Sequence, residues 1–167
     1  MEELAKRKQI RLKNYDYSQC GVYFITTNVR GNRCVLSEVR VGRGLAPAAL
    51  RLTELGRIVE QELLDLPRRY PEVEINKYVI MPNHVHAIIF LRETEGAGRR
   101  PTLMQVVGTL KSLTARKCNQ VSGTQGEKFW QDSFYESILE TETIYLDAWN
   151  YIDENPIKWA EDKYFVR

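Results

Sequence analysis

Histidine is nearly absent from this chain: 167 residues contain two. That count excludes a three-histidine zinc centre, and because both lie in the single motif "HVH" it also excludes a mechanism that needs histidines in two separate motifs. Cysteine is scarce as well. Cys20, Cys34 and Cys118 are odd in number, far apart and include no CxxC, which argues against a disulfide framework and a thiolate zinc site and reads as structural thiols in a reducing compartment. No apolar run approaches the roughly 18 residues that cross a bilayer, and the opening "MEELAKRKQIRLKNYDYSQ" is charged and has no apolar signal core. The expectation is a cytoplasmic protein with no membrane partner. Neither an internal repeat nor a low-complexity segment appears, and the length suits a single domain over 1–167.

Excess charge is lacking too. The net charge of +2 names no partner, but its distribution is uneven: "KRKQIRLK" (6–13), "RGNR" (30–33), "GRR" (98–100) and "KSLTARK" (111–117) are basic, whereas 132–162 is acidic. The basic clusters can track a phosphate backbone or stand as solvated faces.

What is present is a regular alternation of elements. Residues 21–29, "GVYFITTNV", are β-branched and aromatic and predict a strand ended by the turn signal "RGNR", with a second short strand at 34–40. Leu52, Leu55, Val59 and Leu63 recur at helical spacing, which predicts a helix from Pro47 to about Leu66. "VEINKYVIM" and "HVHAIIFL", parted by "PN", predict a hairpin. After the polar link "RETEGAGRR" and Pro101, the stripe Leu103, Val107, Leu110 and Leu113 predicts a second helix. "FWQDSFYESIL" predicts a last strand, and a helix from about Thr141 to Asn155 is stopped by Pro156. The order β, α, β, β, α, β, α is the ferredoxin-like split βαβ pattern: an α+β fold with an antiparallel sheet of four to five strands, helices on one face and an added C-terminal helix.

Both histidines fall in the hairpin's second strand. Side chains alternate along a strand, so His84 and His86 point the same way and can converge on one ion. Buried among "YVIM" and "AIIFL", two imidazoles need polar partners or cost roughly 1–3 kcal/mol each. Packed, hydrogen-bonded core histidines are the rival reading. Position 88 is Ile88 where a histidine-triad hydrolase needs a third histidine, and no further histidine remains for a cupin-type site. Any third ligand must be an oxygen donor, a set that suits Mg²⁺ or Mn²⁺ at least as well as zinc. On the last helix Tyr145, Ala148, Trp149 and Ile152 form an apolar face, and Tyr151 and Asn155 share a neighbouring stripe one turn apart.

Taken in order, "RLKNYDYSQCGVYFITTNV", "INKYVIMPNHVHAIIFL", "FWQDSFYESIL" and "YIDENPIKW" resemble the single-tyrosine HUH transposases, the IS200-like group, and more narrowly the REP-associated tyrosine transposases, over roughly residues 10–160. The resemblance implies a metal held by His84, His86 and Asn155, with Mg²⁺ or Mn²⁺ as cofactor, and Tyr151 as nucleophile. Related elements often have glutamine where Asn155 stands. The implied activity is cleavage and rejoining of single-stranded DNA, recognised beside a hairpin, through a 5′-phosphotyrosine intermediate, by a protein that is nucleoid-associated when acting on DNA. Arg30, Arg33, Lys111, Arg116 and Lys117 are candidate DNA contacts, and a homodimer is compatible with the resemblance. Two other classes stand beside it. One is a non-catalytic single-stranded nucleic-acid binding module using Tyr23, Phe24, Tyr78 and Phe90 as stacking surfaces. The other is a metal hydrolase using water, which should tolerate Tyr151→Phe.

Overall fold

The structure, a computed structural model, describes residues 20–40, 49–93 and 100–166. The basic cluster at 6–13, Pro47 and most of the 92–100 link lie outside the described residues. In chain order the elements are β1 (Gly21–Asn28), β2 (Ser37–Arg40), β3 (Ala49–Leu52), α1 (Glu54–Leu64), α2 (Leu66–Arg69), β4 (Val73–Ile80), β5 (His84–Leu91), α3 (Leu103–Ser122), β6 (Tyr135–Ile138) and α4 (Glu142–Glu154). Four strands form one antiparallel sheet in the order β4-β5-β1-β6, which is the order of a split βαβ fold, and β2 pairs with β3 in a separate ribbon.

Strand alternation divides the sheet's side chains between two layers. Tyr23, Ile25, Ala87, Ile89 and Leu91 point to one face, where they pack against Leu63, Leu66, Leu103, Val106, Val107 and Leu110 of α1 to α3. Phe24, Val79, Met81 and Ile88 point to the other, where Tyr145, Ala148, Trp149 and Ile152 of α4 cover them. The expected apolar face of the last helix is therefore the one that docks. Thr141 caps that helix, its Oγ1 accepting from Ile144 N at 3.3 Å.

Three local expectations differ from the structure. Residues 49–52 are strand, and the helix begins only at Glu54, because Thr53 caps it by accepting from Gly56 N at 3.1 Å. The helical spacing from Leu52 ran across that boundary because Leu52 reaches the same cluster as Leu55 and Val59 from the preceding strand. The last strand is confined to Tyr135–Ile138, with a lone bridge from Trp130 to Val29. Lys111 Nζ draws the carbonyls of Gln131, Asp132 and Ser133 to itself at 2.6, 3.3 and 3.4 Å, so they are not spent on a ladder. On α3 Leu113 is half-buried, and the buried stripe continues through Thr114 and Cys118. Thr114 is satisfied there: its Oγ1 donates to Leu110 O at 2.7 Å and accepts from Trp130 Nε1 at 2.8 Å.

Gly56 is required by close approach. A Cβ at that position would lie 2.0 Å from Leu36 O, where α1 meets the chain entering β2. The hairpin turn before β5 is clamped as well. Val29 N donates to Asn83 O at 2.8 Å, Leu36 N to Pro82 O at 2.9 Å and Met81 N to His84 O at 2.9 Å, so the start of β5 is fixed from three directions.

Candidate active site

His84 and His86 lie on the face covered by α4, both buried. Cross-strand register puts Thr26 opposite His86 and Asn28 opposite His84. Each ring is held through Nδ1: His86 Nδ1 is 2.7 Å from Thr26 Oγ1, and His84 Nδ1 is 2.8 Å from Asn83 Oδ1. Asn83 Nδ2 donates to Asn32 O at 3.1 Å and to Tyr164 O at 2.7 Å, which fixes the amide and leaves Oδ1 to accept. His84 therefore carries its proton on Nδ1 and presents the Nε2 lone pair.

The two Nε2 atoms face one another at 3.0 Å. Two nitrogen ligands at about 2.1 Å from one ion and at right angles to each other would stand about 3.0 Å apart, so the separation fits a shared metal. Asp162 Oδ2 lies 3.9 Å from His84 Nε2, and ligand atoms of His84, His86 and Asp162 all fall within 4.8 Å of one another. The other Asp162 oxygen accepts from Tyr164 N at 2.7 Å, which aims Oδ2 inward. Asn155, the C-cap of α4, is buried beside His84, and its Oδ1 has no hydrogen-bond donor. A buried carbonyl oxygen without a partner, two converging imidazole nitrogens and a carboxylate form a mixed N/O set that fits a divalent cation.

The electrostatics suit the same role. Burial pushes His84 down to about 3, the Lys163 ammonium adds to this, and the Asn155 carbonyl opposes it. His86 is held well below the ordinary range by burial, then by His84 and Lys163. Both rings are neutral near pH 7, the form that ligates. Lys163 is itself held above the ordinary lysine range: burial lowers it, but Tyr164, Tyr151 and Asp162 outweigh that.

Tyr151 projects from α4 onto this pair. Its ring lies edge-on to His86 with centroids 5.2 Å apart, touches Phe24 at 5.9 Å, and is 41 % exposed. The structure thus brings together His84, His86, Tyr151 and Asn155, all named from the sequence. The candidate DNA contacts divide. Arg30 and Arg33 are exposed on a turn whose Asn32 carbonyl receives Asn83, beside the histidines. Lys111, Arg116 and Lys117 lie on α3, behind the opposite face of the sheet. Lys111 donates to three carbonyls and Lys117 pairs with the buried Glu62 at 2.5 Å, while the side chains of both Arg116 and Lys117 are exposed. The four residues of the stacking module do not form one surface: Tyr23 and Tyr78 pack on the helix-backed face, and Phe24 and Phe90 lie on the other.

Sequence reasoning missed Thr26, Asn83, Asp162 and Lys163. Thr26 was recoverable once β1 was set beside β5, because partners across a ladder share a face. Asp162 and Lys163 follow Pro156 in a segment without periodicity that folds back over the histidines, with Trp159 and Tyr164 ring centroids 6.0 and 4.7 Å from that of His84.

Comparison with known proteins adds four findings. The family described as "Transposase IS200 like" matches residues 59–155, a span holding both histidines, Tyr151 and Asn155. A Haemophilus influenzae protein described only as uncharacterised is 30% identical over 174 aligned residues, 96% of this chain and 93% of its own length. Among solved structures, a REP-associated tyrosine transposase bound to a REP hairpin is similar with a TM-score of 0.63 and 23% identity, over 92% of this chain and 77% of that one. A Deinococcus radiodurans protein provisionally assigned as a transposase is similar with a TM-score of 0.51 and 16% identity, over 86% of this chain and 95% of that one.

Proposed function

The chain belongs to the IS200-like transposase family, and from that premise we propose that it is a metal-dependent single-stranded DNA nicking and joining enzyme whose nucleophile is Tyr151. The observation that carries this reading is the meeting, within one chain, of two imidazole Nε2 atoms 3.0 Å apart with a half-exposed phenol edge-on to one of the rings. His84, His86, Asn155 and Asp162 would hold Mg²⁺ or Mn²⁺. When bound, such an ion supplies positive charge to a non-bridging phosphate oxygen and offsets the charge that grows at phosphorus.

The chain's own groups account for the rest. Tyr151 Oη loses its proton and attacks phosphorus; an O–P bond to the tyrosine forms, the bond to the 3′ oxygen breaks, and that oxygen leaves as a 3′-OH. The phosphotyrosyl bond conserves the diester, so another 3′-OH can reverse the attack and join strands without ATP. Lys163 lies within electrostatic reach of Tyr151 and both histidines, where its charge offsets the developing phenolate. His86, stacked on Phe24 at 5.2 Å and edge-on to Tyr151 at 5.2 Å, keeps the phenol ring near the metal ligands. All these groups come from one chain, so the arrangement does not require a homodimer. Among the described residues no helix is long and apolar enough to cross a membrane. The structurally similar transposase bound to a REP hairpin supports single-stranded DNA beside a hairpin as the substrate.

The test is incubation with Mn²⁺ or Mg²⁺ and labelled single-stranded hairpin oligonucleotides, resolved on a denaturing gel. A protein-linked DNA band that disappears in EDTA and in Tyr151→Phe is expected. Cleavage that survives in Tyr151→Phe would show water hydrolysis instead.

A further inference from the structure

Helix α4 covers only part of the sheet. Tyr145, Ala148, Trp149 and Ile152 seal it against Phe24, Val79, Met81 and Ile88. The neighbouring stripe, Ile144, Asp147, Ala148 and Tyr151, recurs at i, i+3, i+4 and i+7 and faces the edge strand β6. Pairing sets Tyr135 opposite Thr26 and Ser137 opposite Phe24, so these four side chains share the face on which His86 lies. Between that stripe and β6 runs an open trough of about 470 Å³, floored by Phe24 and Leu139 and ending at His86, Tyr151 and Lys163. Such a volume lies within the roughly 300–1,000 Å³ of small-ligand pockets.

The trough's walls expose more apolar and aromatic surface than a solvated groove needs: Tyr135 is 40 % exposed, Ile144 43 % and Tyr151 41 %. Polar groups are few: Ser137, Thr26 and Asp147, with Lys163 at the end nearest the nucleophile. Lys163 Nζ lies over the Tyr135 ring, 5.8 Å from its centroid, so an aromatic face and a cation on a long, movable side chain are neighbours at this end of the trough. On the far side of Tyr151 a second cavity of about 280 Å³ is lined by Tyr151, Asn155 and the charged side chains of Glu154, Lys158, Glu161, Asp162 and Lys163; it offers no aromatic platform beyond Tyr151 itself.

We propose that the trough between α4 and β6 is a subsite for one unstacked nucleobase of single-stranded DNA, with Tyr135 and Ile144 clasping the base and Lys163 meeting its phosphate next to the bond that Tyr151 attacks. The proposal rests on the reading of this site as a DNA-cleaving centre. Its physical basis is that every base has an apolar π-face that stacks on an aromatic ring, while its phosphate needs a cation close by. Asp147 at the rim accepts hydrogen bonds and cannot donate, which suits a base edge bearing an amino group.

The experiment is NMR titration of the full-length, metal-free protein with deoxycytidine 5′-monophosphate and, separately, 2-deoxyribose 5-phosphate, read at the Ile144 methyl and Tyr135 ring signals. The nucleotide is expected to shift both signals and saturate, binding at least about 5-fold more tightly than the sugar phosphate, which lacks a base to stack. Tyr135→Ala and Ile144→Glu, the latter at an exposed helix position that should leave the fold intact, should each weaken the nucleotide by about 5-fold or more. Equal binding of the two probes, or shifts confined to Lys158 and Glu161, would overturn the proposal. Tyr151→Phe should keep this binding while losing any covalent adduct, so failure of the subsite and failure of the nucleophile assignment give different results.

Discussion

Acid should unfold this protein earlier than its composition suggests, and the two histidines set the scale. In the unfolded chain each imidazole takes up a proton near about pH 6.5. In the fold His84 resists protonation down to about 3, and His86 lies well below the ordinary range. Between those limits the unfolded state binds more protons, so stability is fully present above about pH 6.5 and is lost as pH falls below it. At pH 5 each ring lies about 1.5 units below its unfolded pKa; at about 1.36 kcal/mol per unit, two rings cost about 4 kcal/mol. That is a large share of the roughly 5–15 kcal/mol that holds a domain folded. The chain has no third histidine to confuse the window. Urea unfolding in EDTA at half-unit steps from pH 7.5 to 5 measures the loss, and the Cε1–H signals of both rings in the folded protein should stay fixed over the same range. A stability change under about 1 kcal/mol, or ring signals that titrate near 6.5, would refute the burial argument.

Other predictions follow from single contacts. Gly56→Ala, which in most helices gains up to about 1 kcal/mol, should instead cost roughly 2–3 kcal/mol in urea unfolding because its Cβ meets Leu36 O. Ile152→Ala, emptying the buried centre of the α4 contact, should cost about 2–5 kcal/mol and reduce adduct formation by loosening Tyr151; a stable, fully active variant would contradict that coupling. Asp162→Asn should weaken Mn²⁺ by at least about 10-fold in calorimetry, and Asn155→Ala should also weaken it; unchanged affinity in either variant would remove that residue from the ligand set.

The strands and helices that carry the site were legible because their signals are periodic. Alternation in "HVHAIIFL" put both histidines on one face, and the apolar stripe of α4 fixed which side of that helix docks, hence where Tyr151 and Asn155 emerge. The order of elements was enough for the split βαβ sheet. What stayed hidden was set by contacts distant in sequence. The ribbon strand at Ala49–Leu52 shares its apolar spacing with the helix after it, so only the Thr53 cap marks the boundary. Asp162 and Lys163 lie in a segment ordered by Asn83, whose amide reaches 81 residues along the chain to Tyr164 O. Two lysines read as DNA contacts also make contacts within the chain, Lys111 with the 131–133 carbonyls and Lys117, though exposed, with buried Glu62. Charge in a sequence does not say which partner has already claimed it.

The most direct test of the central claim is to locate the DNA on the protein. After reaction with a hairpin oligonucleotide and Mn²⁺, nuclease and trypsin digestion leaves the peptide of residues 129–158, which holds Tyr135, Tyr145 and Tyr151. Fragmentation mass spectrometry should find the phosphonucleotide on Tyr151 alone. A modification on Tyr135 or Tyr145, or cleaved DNA bearing a free 5′-phosphate with the peptide unmodified, would contradict the account.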